Sequence, residues 1–372
     1  MSLALAAAAL FVLGGDDQVM MRKLDLPSVD GGPSRSSLLS REARMSEPKI
    51  SPRHGWQFDW IVAGYTVRPN GEFLRLRVFS QQRKSEGDPA PEVARMIMRL
   101  HEFNDTRLGL DHSEEFNNRI VDTYLCFGGK AGGEQLFDVD EQGGIRRKVN
   151  TIYIYDLSSF SDRLEMAREV AHEYGHAALP PFGVFDDRED WANGELGERL
   201  YLQWLRDGMK SGRMSSADAM GARAEAIDGY LSRYVVPLRA HAARNGPERG
   251  VIARRDRLAL ERFLGVVLHL DATMPRRVLA RTLLLTDTRA PESIVRAAVE
   301  AAAELDEIVV ATPSANPLWL PLGKGRVSGG AIVARRDGWA QIKPTSKSLK
   351  IENPPISADA SNGSANRLAA RR

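Results

Sequence analysis

Between Trp56 and Asp156 apolar residues recur mostly at every second position, and after Asp156 they recur at every third or fourth. The first spacing is that of half-buried strands and the second that of amphipathic helices. FLRLRVF (73–79) alternates apolar and polar with period two, and WQFDWIVAGYTV (56–67) precedes it across the turn residues RPNGE, which predicts a β-hairpin. PEVARMIMRLHEF (91–103) interrupts the strands with a helix, carrying Val93, Ile97 and Leu100 at helical spacing behind a proline. RIVDTYLCF, LFDVD and IRRKVNTIYIYD predict further strands, separated by the glycine turns GGKAGG and EQGG. From SSFSDRLEMAREVAHEYGHAAL onward the pattern is helical to about residue 310, broken at LPPFG, RNGPERG, TMP and TDTRAPE. AIVARRDGWAQIKP then predicts one short hairpin around Arg336, Asp337 and Gly338.

A sheet followed by helices is α+β architecture rather than an alternating, doubly wound fold. The boundaries this implies are an apolar run and its flank at 1–15, a polar linker at 16–52 rich in Ser, Pro and Gly, and a core at 53–210. A helical subdomain at 211–312, a short C-terminal hairpin region at 313–352 and a disordered tail at 353–372 complete the chain. The run from Leu3 to Leu13 is too short for a helix to cross a bilayer, which takes about 20 residues. It fits the apolar part of an export signal, although no Lys or Arg precedes it and no small-x-small cleavage site follows. An exported, periplasmic or surface-associated protein is therefore expected, with a cytoplasmic location as the alternative.

Charge narrows the function classes. Lys plus Arg is 51 and Asp plus Glu is 49, a formal net charge of +2, which gives no support to nucleic-acid binding or to an anionic membrane surface. The single cysteine, Cys126, rules out an intrachain disulfide framework and reads as a small buried hydrophobe. GGKAGG lacks the spacing of a phosphate loop, and basic clusters such as RRDR have acids close by.

The chemistry concentrates in REVAHEYGHAALPP (168–181). His172 and His176, four apart, stack on one helix face and can converge on one cation. Glu173 is displaced round the helix, toward a metal-bound water rather than the metal, where it would act as general base and then acid. Asp162 and Glu165 match a capping box, and Leu164, Ala167, Ala171, Tyr174 and Ala178 form a core stripe beside the histidines. Pro180 and Pro181 stop the helix. A catalytic zinc site needs a third protein ligand. Leu179 and Phe182 occupy the later positions of a metzincin motif, which excludes that pattern. Asp186 or Asp187 in FDDRED would suit an aspzincin, but Val184 replaces its threonine. WANGELGERLYLQWL supplies Glu195 and Glu198 on a second helix, with Asn193 or an earlier Asp as its cap.

An H-E-x-x-H helix, a loop and a second helix bearing a glutamate resemble the gluzincin branch of the zinc metallopeptidases. In that group the third ligand follows the second histidine after about 18 to 25 residues; Glu195 follows His176 after 18 and Glu198 after 21. LGERLYL is similar to the sequence around that ligand, which favours Glu198 over Glu195. The resemblance covers residues 150–210 and implies a zincin-like fold, one Zn2+ per chain and a peptide or protein substrate. It also implies that a mixed sheet, of which NTIYIYD is a candidate strand, precedes the active-site helix, and that an edge strand of that sheet holds the substrate extended. The oxyanion-stabilising residue it implies has Tyr230, Tyr234, His241 and His269 as candidates. The alternatives are a non-catalytic zincin-like scaffold or a zinc hydrolase acting on non-peptide amides. For Glu195 the plain structural reading is an i,i+4 pair with Arg199, and for Trp191, Tyr201 and Trp204 it is core packing.

Overall fold

A computed structural model describes residues 24–26, 37–81, 89–110, 120–142, 145–186, 190–312 and 314–354. The apolar run at the N-terminus, Asp187, His112 and most of the C-terminal tail lie outside the described residues. The first strands are β1 (Leu24–Leu26), β2 (Ser37–Ile50), β3 (Gln57–Arg68) and β4 (Gly71–Ser80). Helix α1 (Ala90–Phe103) leads to β5 (Val121–Leu125), β6 (Gly132–Gln142) and β7 (Ile145–Tyr155). These strands form one seven-stranded mixed sheet in the order β1-β2-β3-β4-β5-β7-β6. β4, β5 and β7 run parallel, and β6 closes the sheet as an antiparallel edge strand beside β7. The predicted hairpin is β3–β4 and the predicted helix is α1.

The two faces of the sheet are packed differently. On one, Leu76, Val78, Leu125, Ile152 and Ile154 meet α1 and helix α2 (Arg163–Ala178) through Ile97, Val170, Ala171 and Tyr174. On the other, Phe79, Tyr124, Tyr153 and Tyr155 form a row of stacked rings with centroids 5.0–5.9 Å apart, a separation at which aromatic pairs attract. Cys126 is buried in that second cluster as expected, and burial, reinforced by Glu134, pushes its thiol up to about 12.

The helical part comprises α3 (Asn193–Lys210), α4 (Ala224–Tyr234), α5 (Val236–Asn245), α6 (Arg249–Ile252), α7 (Arg257–Thr273), α8 (Arg276–Leu285) and α9 (Ile294–Ala303). The helices α2, α5, α7 and α8 end at the breaks that the sequence marks. β8 (Glu307–Ala311), β9 (Leu318–Pro321), β10 (Arg326–Ser328), β11 (Gly330–Arg336), β12 (Trp339–Pro344) and β13 (Ser348–Glu352) complete the chain. No helix among the described residues is long and apolar enough to cross a membrane.

Two expectations are corrected. The linker assigned to 16–52 contains the 14-residue strand β2 and the short β1, paired into the sheet; only Leu38, Leu39, Ser40 and Glu42 of β2 are buried, so the strand shows little alternation. The single C-terminal hairpin, β11–β12, is part of two three-stranded sheets, β10-β13-β8 and β11-β12-β9. One apolar cluster runs from Leu38 of β2 to Ile351 of β13, so the sheet, the helices and the C-terminal strands share a core.

His269 joins two of these layers. It is buried in α7 and its Nε2 donates to the carbonyl of Trp319 in β9 at 2.6 Å. Burial holds the imidazole down at about 4, below its ordinary 6.5. The unfolded chain therefore binds a proton that the fold does not, and stability should fall by about 3 kcal/mol as pH drops from 6.5 to 4. Denaturant unfolding across that range should show this slope, and His269→Gln, which keeps a donor but does not titrate, should flatten it.

Candidate functional site

Helix α2 starts where the sequence marks a cap: Asp162 Oδ1 accepts the backbone N–H of Glu165 at 2.8 Å. The return half of the capping box is displaced by one residue, since Glu165 accepts from the N–H of Ser161 at 2.7 Å. Ala167, Ala171, Tyr174 and Ala178 are buried as predicted, with Leu164 packed partly buried against the same core. Arg168, His172 and His176 follow at four-residue intervals and face α3.

Three glycines let α3 approach α2 to backbone contact. A Cβ on Gly197 would stand 2.5 Å from Cα of Gly175, and one on Gly175 would stand 2.5 Å from the carbonyl oxygen of Asn193. One on Gly194 would clash with both imidazoles, 2.5 Å from Nε2 of His172 and nearer still to Nε2 of His176. Glycine inside a helix lowers helix stability, so its use at these positions marks the close approach.

The resulting contact fixes both histidine tautomers. Asn193 donates through Nδ2 to the carbonyls of His176 and Leu179, at 3.2 and 3.4 Å, leaving its Oδ1 to accept from Nδ1 of His176 at 2.9 Å. Glu198 Oε2 accepts from Nδ1 of His172 at 3.4 Å. With a proton on each Nδ1, both Nε2 atoms present lone pairs, and they stand 3.2 Å apart. Two acceptors this close repel unless a proton or a metal ion lies between them. Two nitrogens held at about 2.0–2.1 Å by a tetrahedral zinc are about 3.3 Å apart, so the pair fits that ion.

Glu198 also takes a 2.6 Å hydrogen bond from Nε of Arg168 and lies against Tyr230 of α4, whose ring carries the Arg168 guanidinium at 4.8 Å. Burial raises the Glu198 carboxyl, but the hydrogen bond from His172 and the charge of Arg168 outweigh it and hold the group at about 2. Glu198 is therefore ionised and serves the histidine nitrogen on the far side from the facing pair. Glu195 is held elsewhere, by Arg199 at 2.9 Å and by Arg257, which is the i,i+4 structural pairing. Glu173 is buried beside edge strand β6, where a Cβ on Gly133 would come within 2.6 Å of its Cγ. Among the described residues no group of three or more His, Cys, Asp or Glu side chains forms a metal-binding cluster.

Of the four oxyanion candidates, the fold brings only Tyr230 to this site. Tyr234 stacks on Tyr230 with 41% of its surface exposed, His241 pairs with Glu248 at 2.7 Å, and His269 is committed to Trp319. Asp186 is tied through its backbone to Arg255. Tyr201 and Trp204 are core residues, whereas Trp191 is 45% exposed and lies over Gly183. Sequence reasoning missed Arg168, whose place one turn before His172 was the available signal, and it assigned Asn193 to capping rather than to His176. Against known proteins, no family model matches the chain and no curated protein matches it.

Gly197→Ala should force the two helices apart and destabilise the protein by about 1–3 kcal/mol. Gly229→Ala, in α4 with nothing within 4 Å of the added carbon, should stabilise it by about 0.5–1 kcal/mol. Unfolding midpoints of the two variants, moving in opposite directions, would check the contact.

Proposed function

We propose that this protein is an exported, zinc-dependent peptidase in which His172 and His176 hold the ion, Glu198 orients His172 through Nδ1 and Glu173 moves the proton. The facing pair of Nε2 atoms carries this reading, because with a proton on each Nδ1 their lone pairs converge at the separation that a shared zinc ion would bridge. Zinc bound there would supply a water of lowered pKa and polarise a carbonyl. The residues of the chain would do the rest. Glu198 and Asn193 orient the imidazoles through Nδ1, as outer partners of metal-binding histidines do. Arg168 and Tyr230 fix Glu198 in turn.

The antiparallel edge strand β6 alongside the H-E-x-x-H helix supports the resemblance to gluzincins. Its outer edge offers backbone groups to an extended peptide, a mode of binding that asks little of the peptide's sequence. A peptide lying there passes Gly133 and hence Glu173, which would take the proton of the attacking water and return it to the leaving amine. Of the four candidates for the oxyanion group, Tyr230 is the one that borders this cluster, through Glu198 and Arg168.

One observation favours a second reading, a non-catalytic zincin-like scaffold: Glu198 meets His172 at Nδ1 rather than at the facing nitrogens. Zinc content by elemental mass spectrometry and turnover of a peptide library separate the two. About one zinc per chain should be found, lost in His176→Ala and retained in Glu173→Gln, whose turnover should fall about 10²–10⁴-fold. Glu198→Ala should weaken zinc binding about 10–100-fold and Glu195→Ala should leave it unchanged. Zinc without turnover in the wild type would leave the scaffold reading in place. No zinc after reconstitution would end both the metal site and the peptidase.

A further inference from the structure

Edge strand β6 carries a row of residues on the sheet face that α2 packs against. Gly133, Gln135, Phe137 and Val139 pair across the ladder with Ile154, Ile152, Asn150 and Lys148 of β7. Directly paired residues share a face. Ile152 and Ile154 lie in the core under α2, and Asn150 donates to the carbonyl of Ala177 in α2 at 2.8 Å. Gly133 lies against Glu173, and Gln135 donates to Asn150 at 2.7 Å. Helix α2 ends at Ala178, one residue past the carbonyl that Asn150 reaches. Phe137 and Val139 therefore stand beyond its cover, 46% and 48% exposed. The Lys148 ammonium holds the Phe137 ring by a cation–π contact, 4.3 Å from its centroid.

β6 is 11 residues long, and its outer edge pairs with no other strand among the described residues. An edge with exposed apolar side chains is a template for a further strand. Two observations decide which strand fits. The row is continuous with Glu173, so a strand added with one residue opposite Gly133 reaches Phe137 four residues further on. It reaches Val139 after six, about 20 Å along β6. A second copy of the chain fits poorly: the two-fold antiparallel pairing that sets Phe137 against Val139 also sets Asp138 directly opposite Asp138.

We propose that Phe137 and Val139 form a subsite for apolar side chains of an extended peptide, remote from the bond that is cut. This rests on the peptidase reading and sharpens it. The backbone of β6 accepts any sequence, whereas these two side chains select apolar residues about four and six positions along one side of the scissile bond. The substrate class is then a long, extended polypeptide cut internally, since a peptide that ends within three residues of the bond on that side cannot reach Phe137.

Fluorescence anisotropy on the full chain tests it, with Glu173→Gln to keep the peptides intact. The probes are two fluorescein-labelled peptides of about twelve residues, long enough to span the row; one alternates valine with serine and the other is serine throughout. The valine peptide should bind at least about tenfold more tightly, and Phe137→Ser combined with Val139→Ser should remove that preference. Neither side chain belongs to the buried core, so the unfolding midpoint should hold. With Glu173 intact, the double change should raise KM for the valine peptide more than it lowers kcat, because the contact is remote from the reacting atoms. Equal affinity for the two peptides, or a preference that survives the double change, would overturn the subsite. Binding with the expected response but no cleavage would support the subsite and end the peptidase reading, and cleavage indifferent to the double change would do the reverse. Dimers in sedimentation that the double change dissociates would make a second copy the occupant and overturn the proposal.

Discussion

Everything around the histidine pair depends on helices α2 and α3 touching through their backbones. At an ordinary separation of about 8–10 Å between helix axes, side chains fill the gap and set the spacing. Here Gly175 and Gly197 meet with no side chain between them. The short side chain of Asn193 can then span from α3 to Nδ1 of His176, and Glu198 can reach His172 from the next turn. Separate the helices by the width of a methyl group and both orienting bonds lengthen beyond use. The contact also carries the fold outward. α2 is seated on the sheet through Val170 and Tyr174, and α3 extends from it to Asp271 through Gln203 and to Asn104 through Tyr201.

Buried charge around this contact specifies position more than it adds stability. A carboxylate as buried as that of Glu198 loses most of its hydration, and the attraction of Arg168 does little more than offset that loss. What the pair provides is a fixed acceptor for His172. A second buried cluster does the same for α1, where Arg95 and Arg99 both donate to Asp218 at 3.0 Å in the turn Ser216–Ala219 that follows α3. Removing the arginines from either cluster would leave the buried Glu198 or Asp218 carboxylate short of the charge that offsets its lost hydration.

The residues differ in how openly the sequence declared them. Strands β3, β4, β5 and β7 and the helices α1 and α2 were legible because each buries a continuous face, and burial is what writes a period into a sequence. β2 was not: near the rim of the sheet it needs few apolar residues, and its Ser, Arg and Glu content resembles a linker. The C-terminal sheets were missed for another reason. β8, β9, β10 and β13 have 3 to 5 residues each, too few for two turns of any pattern. At the site, residue type and spacing marked His172, Glu173 and His176, yet they said nothing about which nitrogen of each ring is occupied. That depends on Asn193 and Glu198, and contact between elements is not encoded as a local period.

The missed contact did leave a trace, in glycine. NGELG places Gly194 and Gly197 three apart in the first turns of a helix, and Gly175 sits inside the H-E-x-x-H motif itself. Each weakens its helix by comparison with alanine, so a sequence holding three of them around one motif is evidence that something approaches closely. The structure supplies a fourth, Gly133 on β6, facing Glu173 from the sheet side. Main chain therefore comes close to these side chains on two sides, from an edge strand against Glu173 and from α3 against the imidazoles. Main-chain walls cannot change rotamer, so they limit where these side chains can stand, and Asn193 and Glu198 then orient the two imidazoles. Preorganisation of that kind is what the proposed metal centre would require.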